Sequence, residues 1–244
     1  MTTENLGRGT ERMGDSERKG VNLMADAATP EALHNAWKDA RVTIRHQADV
    51  EKGVVRSSAV LYPDPNAAGK RLASLEAAID KAAASLLEEA RVSYGLHAQR
   101  LSTQPVFDPT MTAEEKEAAN LVVECVTQAT FSGCGGGRGG GGRGAAAPGA
   151  PANAAGGRGE GGGRGPGGGR GNAGPSLPQH MNAELTILLG KKKTALEIRD
   201  FLTGEFEPVP LADVMAVLRA RDAAGQIKLV PKVTETTPAT KKKG

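Results

Sequence analysis

One stretch limits what this chain can fold into. Residues 132–176 read SGCGGGRGGGGRGAAAPGAPANAAGGRGEGGGRGPGGGRGNAGPS. Ordering a residue costs roughly 1–2 kcal/mol, and glycine loses the most freedom. Nothing in the stretch is large and apolar enough to offset that cost, so it is expected to stay disordered, stiffened locally at Pro148, Pro151 and Pro166. It therefore divides the chain into two parts that can fold, residues 29–131 and 177–232. A polar arm over 1–28 and a basic tail over 233–244 are expected to be disordered.

The stretch carries Arg138, Arg143, Arg158, Arg164 and Arg170 against a single acid, Glu160. Guanidiniums pair bidentately with phosphate and stack on bases. In this it resembles Arg-Gly RNA-binding segments, although only Arg138-Gly139-Gly140 is a full Arg-Gly-Gly triplet. No aromatic residue is interleaved, so stacking would rest on arginine alone. The same residues suit a solubilising spacer, and that is the favoured expectation for the stretch. Across the whole chain, 31 Lys and Arg face 28 Asp and Glu, a net +3 that is too small to imply a general polyanion binder.

Before the stretch, hydrophobic spacing predicts helices. Thr29-Pro30-Glu31 has an N-cap, a first-turn proline and an acid at the positive end of the dipole. Leu33, Trp37, Ala40 and Ile44 then line one face, and Gly53 is a plausible stop. Trp37 is read as a core residue. Residues 54–62 fit either a short strand or a continuation of the helix. A turn at Pro63-Asp64-Pro65-Asn66 precedes a long helix over 67–94, striped by Leu72, Leu75, Ile79, Ala82, Leu86 and Ala90. Its partner is either the first helix or a second copy, so a homodimer is one expectation. Thr112 and Glu115 have capping-box spacing, opening a third helix whose buried face runs through Ala118, Leu121, Val122, Cys125, Val126 and Ala129. Cys125 is read there as a small core hydrophobe, and Cys134 as exposed.

After the stretch, a short helix is expected over 182–189. The basic turn Lys191-Lys192-Lys193 follows, then a second capping box at Thr194 and Glu197. Gly204, Pro208 and Pro210 break the chain before a helix over 211–223, and residues 226–230 read as a strand. Three short helices and a strand resemble a winged helix-turn-helix. In DNA-binding members of that family the third helix enters the major groove. The resemblance implies that role for 211–223, with Arg219, Arg221, Lys191–Lys193 and Lys228 as the cations able to reach nucleic acid. Glu205, Glu207 and Asp213 oppose it, because carboxylates at the leading end repel phosphate.

The fold class expected is mainly α: a helical coiled-coil or small-bundle region, a Gly/Arg-rich linker, and a small winged-helix-like α+β unit. No Walker loop, nucleophile elbow, dinucleotide fingerprint or His-Glu-x-x-His occurs, and His34, His46, His97 and His180 are scattered. The chain is therefore expected to be non-catalytic and without cofactor or metal. No apolar run reaches the roughly 20 residues of a membrane span, so a cytoplasmic protein is the default expectation. Two functions fit: association with DNA or RNA through the C-terminal unit and the Arg/Lys segments, or a protein-protein adaptor in which the linker is a passive spacer.

Overall fold

Small residues where two helices meet set the geometry of the N-terminal half. In this computed structural model, which describes residues 3–62, 64–126 and 175–232, helix α1 covers Thr3–Asp26, α2 covers Pro30–Ser57 and α3 covers Pro65–Arg100. Thr29 caps α2, its side chain accepting from the Ala32 N–H at 3.2 Å. The three helices form an up-down-up bundle. Arg12 meets Glu51, Gly20 faces Ala40, Arg56 meets Glu76, and Lys52 meets Asp80. Leu33, Trp37, Ala40, Ile44, Leu72, Ile79 and Ala90 are buried, as their spacing predicts. The α3 stripe faces α1 and α2 of the same chain, so its own bundle already occupies it.

Residues 3–26, expected to be a disordered arm, form α1. Met13 and Met24 are fully buried on its inner face. Gly20 lies against α2 so closely that an added Cβ would sit 2.5 Å from Ala40 Cβ. Gly20 is thus a point of close approach between the two helices. Gly53, read as a stop, is none: nothing lies within 4 Å of an added Cβ there, and α2 continues to Ser57 and ends in a 3-10 turn over Ser58–Leu61, which settles residues 54–61 as helical.

A second, separate core lies at the other end of the chain. It is built by α4 (Ala113–Asn120), β1 (Leu121–Cys125), α5 (Gln179–Leu188), α6 (Ala195–Glu205), α7 (Leu211–Ala223) and β2 (Ile227–Pro231). Both capping boxes form: Thr112 and Glu115 open α4, and Thr194 and Glu197 open α6. The third helix expected through residue 129 stops at Asn120. Beyond it, Leu121-Val122-Val123-Glu124-Cys125 alternates inward and outward, with Val123 fully buried. That period-two pattern pairs β1 antiparallel with β2, Val123 opposite Leu229 and Glu124 opposite Lys228. On its other side β1 bridges to Thr194, and Val123 N–H donates to the Lys193 carbonyl at 2.9 Å. Gly204, expected to break the chain, lies inside α6.

The β1–β2 pairing has a topological result. Residues before 126 and after 175 belong to one core, with Ala118 and Val123 packed beside Leu177 and Met181. Among the described residues, the architecture is thus mainly α-helical with one small antiparallel sheet.

Candidate functional site: the charged seam between α2 and α6

The two cores meet where α6 crosses the middle of α2. Contact is close because Gly204 has no side chain: a Cβ there would lie 2.4 Å from both Cβ and Cγ of His46. The His46 ring packs edge-on to Phe201 at 4.8 Å, and its Nε2 lies 3.0 Å from Glu205. Lys19 of α1 reaches the Phe206 carbonyl.

At the centre is a half-buried ionic trio. Arg199 Nη2 donates to Asp39 at 2.5 Å and Nη1 to Asp200 at 3.0 Å, while Nε donates to the Val209 carbonyl at 3.1 Å. Burial pushes the Asp39 and Asp200 carboxyls above the usual aspartate range, and Arg199 opposes that without reversing it. Burial also works against the Arg199 charge, but the two carboxylates outweigh it and hold the guanidinium above its usual value. One cation shared by two anions leaves the trio with net negative charge. Beside it, Lys38 pairs with Glu115, whose Oε2 also accepts the Thr112 N–H at 2.7 Å. Burial disfavours the Glu115 anion, yet these two donors hold the carboxyl below its usual range.

Three clefts surround the trio. One, of about 190 Å³, has walls of Val42, Pro109, Met111 and Leu196 and opens at Arg41 and Arg45. The next, of about 440 Å³, shares Val42, Arg45 and Asp200 and continues past Val50 and Phe201 to Lys193. The third, about 370 Å³, lies on the far side of Arg199 against Pro208 and Pro210. Arg41 is mostly covered. Its guanidinium sits 5.6 Å from the Trp37 ring centroid and donates to the Phe107 carbonyl at 3.2 Å. Burial and the like charge of Arg45 push its pKa down.

Among the described residues, the cations expected to contact nucleic acid are spread over α7, the sheet and the turn before α6. Arg219 is exposed and paired with Glu117 of α4 at 2.8 Å. Arg221 is half-buried, and burial lowers its pKa. Lys228 stands opposite Glu124 in the sheet. Lys191 and Lys192 are exposed on the turn before α6, and only Lys193 reaches the seam. Arg138, Arg143, Arg158, Arg164 and Arg170 lie outside the described residues, as do Cys134 and the tail lysines. The opposing acids are partly occupied, Glu205 by His46 and Glu207 by His180 at 3.7 Å.

Sequence reasoning missed the seam itself. Asp39, Arg199 and Asp200 look like ordinary solvated charges on amphipathic helices. The only local hint was Gly204, a glycine inside an otherwise good helix pattern, which often marks a close approach. Among the described residues no cluster of His, Cys, Asp and Glu has the arrangement of a metal site. No described helix is long and apolar enough to cross a membrane. No family model, curated protein or solved structure matches the chain.

Proposed function

We propose that the chain is a non-catalytic protein-protein adaptor whose C-terminal unit is a winged-helix-like fold turned to protein contact. The fold reading is supported by the order α5, bridge at Thr194, α6, α7, β2, with β1 standing in the remaining sheet position. One observation carries the function: α4 packs beside α7, and Glu117 holds Arg219, the one cation on the outward face of the helix that would enter a groove. The remaining outward residues, Ala212, Asp213, Ala220 and Ala223, offer no donor to a base edge or phosphate. The concave, partly apolar seam between α2 and α6 is instead suited to a protein ligand.

The test is affinity capture by the full chain from nuclease-treated lysate, run beside anisotropy titrations on duplex DNA and single-stranded RNA at low and physiological salt. The adaptor reading expects specific protein partners that survive nuclease. Loss of every partner with the nucleic acid, together with a steep salt-dependent affinity for DNA or RNA, overturns it in favour of nucleic-acid association.

A further inference from the structure

Helix α3 has a second face that its own bundle does not use. The stripe through Leu72, Ile79 and Ala90 packs on α1 and α2. On the opposite side, Ser74, Ala78, Lys81, Ser85, Glu88 and Val92 follow one another at spacings of four and three, the period of a helix-pairing seam. All six are exposed. Leu96 and Gln99 extend the stripe, so it runs for about 40 Å. Val92 is 63% and Leu96 60% exposed, more than any other large apolar side chain on a described α-helix.

This face has little net charge, but its charges and its bulk are separated along the helix. The first half is small and basic: Ser74, Ala77 and Ala78 sit among Lys70, Arg71 and Lys81. The second half is larger and acidic, with Val92 and Leu96 beyond Glu88 and Glu89. Toward α2 the flanking acids are already balanced, Asp80 by Lys52 and Glu76 by Arg56. Among the described residues, the side chains of Lys70, Arg71 and Lys81 have no hydrogen bond or ion pair. Glu88 meets only Arg91 of its own helix, at 3.3 Å, and that guanidinium also lies over the Phe107 ring. Glu89 accepts only from the Ser85 hydroxyl, at 3.5 Å. It also faces Glu17 of α1, whose carboxyl is pushed up by burial and then by the Glu89 charge, with Arg18 opposing.

Such a surface is complementary to itself turned end for end. A second copy running the same way sets Lys81 on Lys81 and Glu88 on Glu88, which repel. A copy reversed about Ser85 sets Lys81 opposite Glu89, Val92 opposite Ala78 and Leu96 opposite Ser74, each twice. Large side chains facing small ones let two helix axes approach and cover the exposed valine and leucine.

We propose that the outer face of α3 pairs antiparallel with the same face of a second copy, about a two-fold axis at Ser85, so that the chain is a homodimer. A two-fold interface requires one patch to fit itself, and the reversal of charge and size along α3 meets that condition. The inference is independent of the adaptor reading. It adds that each partner-binding surface is presented twice, which strengthens binding to a ligand with repeated sites.

Sedimentation equilibrium of the full chain between about 1 and 100 µM should show the mass passing from one chain to two. Leu96→Ser should weaken the dimer about a hundredfold, because each dimer loses two apolar contacts. Lys81→Glu should weaken it about tenfold, and adding Glu89→Lys in the same chain, which restores opposed charges with signs exchanged, should recover most of that loss. All three positions are exposed, and circular dichroism checks that each variant folds. A nitroxide on a ketone-bearing residue at Gln99, which leaves both cysteines untouched, should report an interchain distance of about 40 Å, against about 10–15 Å for a parallel pair. A chain that stays monomeric at the highest concentration, a dimer indifferent to Leu96→Ser, or a short Gln99 distance overturns the proposal. So does a monomer that captures another protein from nuclease-treated lysate and loses it in Leu96→Ser, because the face then belongs to a different partner. The adaptor reading stands or falls separately, on whether the wild type captures any other protein.

Discussion

Replacing Gly204 by alanine should act with opposite signs on two parts of the molecule. Within α6 alone, Gly→Ala in a helix interior is worth about 1 kcal/mol of added stability. Across the seam, the new methyl would lie 2.4 Å from both Cβ and Cγ of His46; the ring can turn about χ1, but Cβ is fixed to the backbone and cannot move aside. Ordinary contact requires about 1 Å more, so α6 must withdraw from α2 by about that distance. Overpacking of this kind costs about 1–3 kcal/mol. The withdrawal also stretches the 2.5 Å Arg199–Asp39 bond and the 3.0 Å His46–Glu205 contact towards the limit of hydrogen bonding. A double-mutant cycle between Asp39 and Arg199 reads the effect. In the wild-type background the coupling should be at least about 1.5 kcal/mol, as for a partly buried charged pair, and in Gly204→Ala it should drop below about 0.5 kcal/mol. Denaturant unfolding followed by Trp37 fluorescence, which reports the bundle, and by helical ellipticity, which reports both cores, should separate into two transitions. Gly53→Ala is the control: nothing lies within 4 Å of its added Cβ, so it should only stabilise, by about 0.5–1 kcal/mol. If Gly204→Ala raises the midpoint of one shared transition and leaves the Asp39–Arg199 coupling intact, the close-approach reasoning is wrong.

Gly20→Ala should destabilise the bundle by about 1–3 kcal/mol in a urea melt, despite better helix propensity, because its Cβ would meet Ala40 Cβ at 2.5 Å. An unchanged or higher midpoint refutes the tight α1–α2 contact. Co-expressed fragments 1–130 and 171–244 should copurify, since β1 from the first completes the sheet and core of the second. Independent elution of the two pieces counts against that pairing. The seam should also respond to pH. Asp39 and Asp200 have folded values raised above their unfolded value of about 4, so their share of docking stability grows as pH falls through those raised values and is lost as pH rises through them. Glu115 and Glu197 are lowered, so theirs is present above about pH 4.5 and lost as pH falls through their folded values. The wild type should therefore dock more firmly at mildly acid pH than at neutral pH, and Asp39→Asn should flatten that rise when docking is followed by scattering or by amide exchange.

Much of the helical skeleton was legible because its signals are local. Thr29-Pro30, the capping boxes at Thr112 and Thr194, and the stripe from Leu33 to Ile44 each involve residues within a few positions of one another. What failed was either long-range or carried by glycine. Leu121 to Cys125 has an apolar pattern that helix and strand share, and its partner lies more than a hundred residues away, so no window could choose. Helix α1 was hidden because its inner face mixes Gly9 and Gly20 with Met13 and Met24, and a stripe whose alternate members are glycine is too sparse to stand out among polar residues. The Asp39–Arg199–Asp200 trio is a tertiary fact: each residue alone is an ordinary polar position on an amphipathic helix, and only the crossing of α2 and α6 removes them from water. The cations singled out from sequence were judged by charge, but Arg219 and Lys228 are set against Glu117 and Glu124 by packing that sequence spacing does not encode.

Because β1 and α5 are fixed to the same sheet and core, residues 127–174 join two points whose separation the fold already sets. A chain break anywhere in that interval would turn an intramolecular strand pairing into a bimolecular one, and the sheet and the core it covers would then depend on concentration.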